Sequence, residues 1–130
     1  MRYQRSNISV FNIGYHLIWC PKYRRKVLVN EIEKRLKNLL KAKAKQIIVS
    51  IKKMEVMPDH VHLFVKALPL LSPHKIVQQF KGYTSRILRQ EFKILRSKLP
   101  TLWTRSYYCE SVGHISEATI QKYIEEQKNK

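Results

Sequence analysis

The sequence predicts an α+β fold, in which a four-stranded antiparallel sheet of the ferredoxin-like, split βαβ type carries helices on one face. Strand-like segments with alternating apolar residues and helical segments with apolar residues at every third or fourth position follow one another in the order β-α-β-β-α-β-α. With 130 residues, 3 glycines and 5 prolines, the chain is expected to form a single domain, residues 1–130, with short loops.

Turn and capping residues set the expected boundaries of these elements. Asn30 and Ser72 are the expected N-caps of the first two helices, and Pro73 suits the first position of the second. A tight turn at Pro58 and Asp59 joins the second and third strands. In chain order, we expect a strand within 12–19, a helix at 30–45, strands at 46–56 and 60–66, a helix at 72–92, a strand at 106–112 and a helix at 116–130 capped by Ser116.

The charge of the chain points to a polyanionic partner. Lys and Arg number 26 against 9 Asp and Glu, which gives a net charge of +17, and nucleic acid is the commonest partner of so basic a protein. The chain contains no apolar run of roughly 18 residues, so we expect no membrane partner. Cys20 and Cys109 stand far apart and in no CxxC motif, which favours a reducing, cytoplasmic location.

Basic side chains near one strand end and along the second helix are the predicted DNA contacts. Because a charge run is often only a solvated loop, the overall excess of positive charge is what favours phosphate binding here. The predicted contacts are Lys22, Arg24, Arg25 and Lys26 in the loop after the first strand, and Lys81, Arg86, Arg89 and Arg105 further along the chain.

Two histidines stand one residue apart in the third predicted strand. Side chains alternate along a strand, so His60, His62 and Phe64 share one face of the sheet. The other face carries the aliphatic residues Val61, Leu63 and Val65. The histidines therefore lie on the face away from the core. Taken alone, the pair is either two metal ligands or two polar residues on a solvated sheet face.

The last predicted helix supplies further reactive groups. Tyr123 and Gln127 are four residues apart and share a face with Ile120 and Ile124, which also makes them candidates for an ordinary amphipathic edge. If that face meets the histidine pair, two imidazoles and one amide oxygen form a set of nitrogen and oxygen ligands that suits Mg²⁺ or Mn²⁺. A tyrosine beside such an ion on a basic surface suggests covalent phosphoryl transfer. The sequence has no P-loop, so no nucleotide cofactor is expected.

Five motifs occur in one order along residues 14–127: "HLIWCPKYRRKVL", "MPDHVHLFV", "FKGYTSRIL", "LWTRSYYCESVG" and "IQKYIEEQ". In these motifs the chain resembles the small single-tyrosine HUH transposases of the insertion-sequence 200/605 group. The resemblance implies that His60 and His62 are the paired metal ligands, with Gln127 as the third. It implies that Tyr123 is the nucleophile, which forms a 5′-phosphotyrosine link to single-stranded DNA. It also implies a homodimer that binds DNA hairpins and whose terminal helix can serve the partner's histidine pair.

Two alternatives share much of this pattern. A domesticated relative that acts on repeated palindromic elements would use the same chemistry. A non-catalytic nucleic-acid-binding module on the same fold would explain the charge but not the tyrosine and glutamine. Among the other residues, Asp59 is expected mainly to form the turn, with orientation of a histidine ring as an alternative. His16, His74 and His114 are expected to be structural and to lie outside the cluster.

Overall fold

The computed structural model describes residues 13–111 and 117–129. Its elements are strand β1 (Ile13–Trp19), a 3-10 turn (Lys22–Arg24), helix α1 (Asn30–Gln46), strands β2 (Ser50–Met57) and β3 (His60–Ala67), helices α2 (Pro73–Glu91) and α3 (Lys93–Lys98), strand β4 (Tyr108–Ser111), helix α4 (Glu117–Glu126) and a 3-10 turn (Gln127–Asn129).

The four strands form one antiparallel sheet in the order β2-β3-β1-β4. The predicted α+β fold and the order of its main elements are confirmed. Register fixes which side chains meet: Ile18 of β1 lies between His62 of β3 and Tyr108 of β4, while His16 lies between Phe64 and Glu110. Directly opposed residues of an antiparallel pair share a face. These side chains therefore lie together on one face of the sheet.

The opposite face of the sheet carries the hydrophobic core. Leu17, Trp19 and Leu63 are fully buried there, beside Phe80 of α2 and Leu36 of α1. Burial of one such side chain contributes about 1.5–3 kcal/mol relative to an exposed one. Helices α1 and α2 thus cover one sheet face, as the alternation of apolar residues predicts.

The start of α2 confirms the predicted cap, whereas the start of α1 does not. Ser72 Oγ accepts a hydrogen bond from the Lys75 backbone N–H at 3.2 Å, with Pro73 at the first helical position. At α1 the N-cap is Val29 and makes no side-chain cap. Asn30 instead has φ 52°, a left-handed conformation that asparagine tolerates better than most residues. The prediction of Asn30 as N-cap is therefore wrong.

Two strand starts and one additional helix also differ from the prediction. Strand β2 begins at Ser50 rather than at residue 46, because α1 runs to Gln46 and the chain turns at Ile48, which has φ 58° and is 74% exposed. Strand β4 begins two residues later than predicted, at Tyr108, and helix α3 was not predicted at all. The predicted cap Ser116 and the histidine at position 114 lie outside the described residues. None of the described helices is long and apolar enough to cross a membrane.

Candidate active site

Helix α4 packs on the sheet face that carries the histidines. Ile124 of α4 is buried against Ile18, and the rings of Tyr123 and Tyr108 lie 5.9 Å apart between centroids. The predicted inward face of this helix is confirmed where side chains are described, because Ile124 and Gln127 are 6% and 2% exposed. The face opposite the core is therefore partly covered by the terminal helix of the same chain.

Asp59 holds the ring of His60. Asp59 Oδ1 lies 2.9 Å from His60 Nδ1, and Asp59 Oδ2 lies 3.3 Å from Arg24 Nε. A carboxylate on one ring nitrogen fixes the tautomer and orientation of an imidazole and leaves the other nitrogen, Nε2, as its ligating atom. Asp59 also stands in the turn between β2 and β3, as predicted, and its contact with His60 supports the alternative role of orienting the ring.

His62 lies in a small polar cluster. Its Nε2 is 3.4 Å from His16 Nδ1, and its Nδ1 is 3.5 Å from Glu55 Oε1. Burial lowers the pKa of His62, although the nearby Glu55 carboxylate acts in the opposite direction. The ring is therefore neutral at pH 7, and a neutral imidazole is the form that binds metals. His16 also stacks on Phe64 with ring centroids 4.6 Å apart.

The prediction that His16 lies outside the cluster is therefore wrong. The alternation within β1 places His16 on the other face of the sheet from Leu17, but only the pairing register shows that it meets His62 of β3. His74, by contrast, lies away from them, with its Nδ1 3.4 Å from the Tyr107 hydroxyl.

The hydroxyl of Ser106, just before β4, contacts both functional side chains predicted near the end of the chain. Ser106 Oγ donates to Gln127 Oε1 at 3.0 Å and lies 3.1 Å from the Tyr123 hydroxyl. Gln127 Nε2 donates to the Tyr123 carbonyl oxygen at 3.0 Å. Burial raises the pKa of Tyr123 to about 12. The phenol is therefore neutral at pH 7.

Arg24 joins the two halves of the site. Besides its contact with Asp59, its Nη1 lies 3.4 Å from Glu125 Oε2 on α4. The guanidinium thus connects the residue that holds His60 with the helix that carries Tyr123. Among the described side chains, neither imidazole forms a hydrogen bond with Tyr123 or Gln127.

The predicted metal ligands fit a divalent ion by their chemistry. His60 has its ring fixed by Asp59, His62 is held neutral by burial, and the amide oxygen of Gln127 has a second lone pair beyond its bond to Ser106. Within the described part of the chain, no three His, Cys, Asp or Glu side chains converge as a metal site. The set of His60, His62 and Gln127 stays a prediction.

The predicted DNA contacts fall into two groups. The first is occupied within the protein: Arg24 pairs with carboxylates, Lys81 Nζ donates to the Thr104 carbonyl at 2.6 Å, and Arg89 Nη1 donates to the Leu99 carbonyl at 3.1 Å. Lys22 is half-buried, with its Nζ 5.2 Å from the centre of the Tyr23 ring. The second group is exposed and consists of Arg25, Lys26, Arg86 and Arg105.

Sequence reasoning missed Ser106 and His16 as members of the site. Ser106 stands in the quoted motif "LWTRSYYCESVG", but nothing in its spacing indicates a contact with residues 17 and 21 positions further on. Both residues reach the site only through tertiary structure.

Known proteins match almost the whole chain. A family model described as "Transposase IS200 like" matches residues 9–127. The ISDra2 transposase TnpA of Deinococcus radiodurans is 42% identical over 123 residues, which cover 93% of this chain and 88% of that protein. The transposase for insertion sequence element IS200 of Salmonella typhimurium is 31% identical over 119 residues, which cover 90% of this chain and 78% of that protein.

Solved structures agree with these matches. The crystal structure of a candidate transposase from Deinococcus radiodurans R1 superposes with a TM-score of 0.86 at 38% identity, covering 98% of each chain. A REP-associated tyrosine transposase bound to a REP hairpin superposes with a TM-score of 0.60 at 11% identity, covering 94% of this chain and 67% of that one, a likeness of fold alone. By its family match and its identity to these relatives, this chain belongs to the IS200-like transposase family.

Proposed function

We propose that this transposase binds hairpins in single-stranded DNA and cleaves and rejoins the strand through a covalent 5′-phosphotyrosine at Tyr123. The observation that carries the proposal is the position of α4, which packs Tyr123 and Ile124 against Ile18 on the sheet face that carries His60 and His62, with Gln127 buried directly after the helix. Phosphoryl transfer needs a nucleophile and electrostatic stabilisation at one place, and this face offers both.

In the proposed cleavage, the phenol oxygen of Tyr123 attacks the phosphorus of one phosphodiester. A bond forms between phosphorus and the phenol oxygen, the bond to the 3′ oxygen breaks, and the phenol proton ends on that 3′ oxygen. The products are a 5′-phosphotyrosine and a free 3′ hydroxyl. Rejoining is the reverse step with a second 3′ hydroxyl. Since the phosphotyrosine retains the bond energy, the proposal requires no nucleotide cofactor.

His60, His62 and Gln127 would hold the Mg²⁺ or Mn²⁺ ion, which supplies polarisation of the phosphate and stabilisation of the leaving oxygen. The chain itself does the rest. Asp59 orients the His60 ring, and burial keeps His62 in its neutral form. The raised pKa of Tyr123 keeps its hydroxyl protonated at neutral pH.

DNA binding is proposed for the exposed basic side chains. Arg25 and Lys26 follow the turn that carries Arg24, so they border the histidine face, and phosphate contacts by such residues dominate affinity for nucleic acid. We further propose that the protein acts as a homodimer with a hairpin on each subunit.

The test is an adduct assay with labelled single-stranded hairpin DNA, with Mg²⁺ or with EDTA. Wild type is expected to form an adduct that survives denaturing electrophoresis only with the metal, and Tyr123→Phe to form none. Tyr83→Phe, the same change on α2, is the matched control and should behave as wild type. An adduct of equal yield in Tyr123→Phe would refute the tyrosine mechanism.

His60→Ala separates chemistry from binding. We expect it to abolish nicking while salt-sensitive hairpin binding stays within about threefold of wild type, because the lost atoms are ligands rather than phosphate contacts. His74→Ala is the control for loss of an imidazole elsewhere. If neither wild type nor any variant forms an adduct although hairpin DNA still binds, the protein is a non-catalytic binding module.

The contacts of α4 within one chain support docking on its own sheet. Mixed dimers of Tyr123→Phe with His62→Ala subunits test this directly. Adduct formation by the mixture means that a helix serves the histidine pair of the other subunit, and its absence means that each chain uses its own helix.

A further inference from the structure

The Ser106 hydroxyl links the proposed nucleophile to the proposed third metal ligand. It has a single proton, which it donates to Gln127 Oε1 at 3.0 Å. At 3.1 Å from the Tyr123 hydroxyl, Ser106 Oγ must therefore be the acceptor there, and the phenol must be the donor. The phenol proton consequently points at Ser106, which leaves the lone pairs of the phenol oxygen available for attack.

Ser106 stands on a rigid support. Lys81 Nζ donates to the carbonyl oxygens of Thr104 at 2.6 Å and Ser106 at 3.1 Å. The Thr104 backbone N–H donates to the Cys20 carbonyl at 3.0 Å, which ties this segment to the end of β1. The backbone that carries Ser106 is thus held on two sides, by Lys81 of α2 and by the end of β1.

Gln127 is fixed from its other end as well. Its Nε2 donates to the carbonyl oxygen of Tyr123, so the amide cannot rotate without losing either that bond or the one from Ser106. A ligand whose orientation is set by neighbouring hydrogen bonds binds metal more tightly than a free one. One hydroxyl therefore sets the direction of both the amide oxygen and the phenol.

We propose that Ser106 is a positioning residue that aligns Tyr123 and Gln127 with each other, so that metal affinity and nucleophile orientation are coupled through a single hydroxyl. This inference rests on the proposed function, since it assigns a role within the same site. It adds a residue from outside both the histidine motif and the terminal helix.

The test compares Ser106→Ala with Ser106→Thr, which keeps the hydroxyl. In Ser106→Ala, the rate constant of adduct formation at saturating Mn²⁺ should fall about tenfold, because two hydrogen bonds that direct the reacting groups are lost. The Mn²⁺ concentration for half-maximal rate should rise by about threefold or more. Ser106→Thr should recover both values to within about threefold of wild type.

Mn²⁺ binding to the DNA-free protein, followed by electron paramagnetic resonance, gives a readout independent of turnover. Ser106→Ala should bind Mn²⁺ more weakly than wild type by about threefold or more. Ser97→Ala is the matched control, because among the described residues the Ser97 hydroxyl bonds to the Ile94 carbonyl alone, at 3.4 Å in α3, and it should leave affinity and rate unchanged. Equal melting temperatures would show that Ser106→Ala is folded, as expected for an exposed residue.

The inference is overturned if Ser106→Ala matches wild type in rate and Mn²⁺ affinity, or if Ser106→Thr is as defective as Ser106→Ala. Its failure is distinct from failure of the proposed function. An inactive Tyr123→Phe beside a fully active Ser106→Ala would refute only the role of Ser106, whereas an active Tyr123→Phe would refute the tyrosine mechanism itself.

Discussion

Replacing Lys81 by Met tests whether this side chain binds a DNA phosphate or stabilises the folded protein. The sequence predicts that Lys81 binds DNA, but its Nζ lies within reach of three backbone carbonyl oxygens: Thr104 at 2.6 Å, Ser106 at 3.1 Å and Arg105 at 3.4 Å. Methionine keeps most of the length of the side chain and removes the donor. We therefore expect Lys81→Met to lower the free energy of unfolding rather than to weaken DNA binding specifically.

The expected magnitude follows from the bonds that are lost. Hydrogen bonds from a charged donor contribute about 1.5–3 kcal/mol each when buried, and less when partly exposed or long. The side chain of Lys81 is partly exposed and one of its three contacts is 3.4 Å long, so we expect a total of about 2 kcal/mol. For a chain of 130 residues, the entropy of unfolding is about 270 cal/mol/K, which converts this loss into a melting temperature lower by about 7 °C.

Calorimetry and hairpin binding at several salt concentrations test this expectation. Lys75→Met is the matched control, because Lys75 is exposed on the same helix and carries the same charge. The control should change stability by less than about 0.5 kcal/mol. If Lys81→Met melts like wild type and instead reduces the salt dependence of binding by about one phosphate contact, Lys81 binds DNA and the structural role is refuted.

The pH dependence of stability gives a second check on Lys81. Burial lowers its pKa from the ordinary 10.5 to about 8. Between these two values the unfolded chain binds the proton and the folded chain does not, so the stability of wild type should rise with pH in this window. A full shift between these two pKa values would raise the stability by about 3 kcal/mol. Because the side chain is partly exposed, solvent screening makes the expected rise smaller. The stability difference between wild type and Lys81→Met should therefore grow from pH 8 to pH 10; a constant or shrinking difference would contradict the pKa shift.

Three further expectations concern other residues. Asp59→Asn should raise the Mn²⁺ concentration for half-maximal adduct formation about tenfold, because the His60 ring loses its carboxylate partner; an unchanged value would show that Asp59 only forms the turn. Arg25→Ala should reduce the slope of log affinity for hairpin DNA against log salt by about one, measured by fluorescence anisotropy, and an identical slope would exclude a phosphate contact there. At pH 8, iodoacetamide should modify Cys109 slowly and Cys20 only after unfolding, since burial raises the pKa of Cys20 to about 12; labelling of Cys20 in the folded protein, seen by mass spectrometry, would contradict its burial.

The sequence predicts well those features that depend on local periodicity. Alternation in β3 places His60 and His62 away from the core, and helical spacing places Ile124 and Gln127 on one buried face. The Ser72 cap is also local, and it is confirmed by the bond from Lys75. Where local signals compete, prediction fails: the apolar run at 47–49 suggests a strand, but α1 continues to Gln46 and the chain turns there.

By itself, the sequence determined the fold class, the order of the main elements and the residue types available for chemistry, since these follow from periodicity, turns and motifs along the chain. Only the tertiary structure decided which side chains meet. Strand register brings His16 to His62, and the docking of α4 brings Ser106 to Tyr123 and Gln127. The tertiary structure likewise places the Lys81 ammonium against backbone carbonyl oxygens. Such contacts join residues far apart in sequence, and they depend on how packed elements are placed rather than on any local pattern.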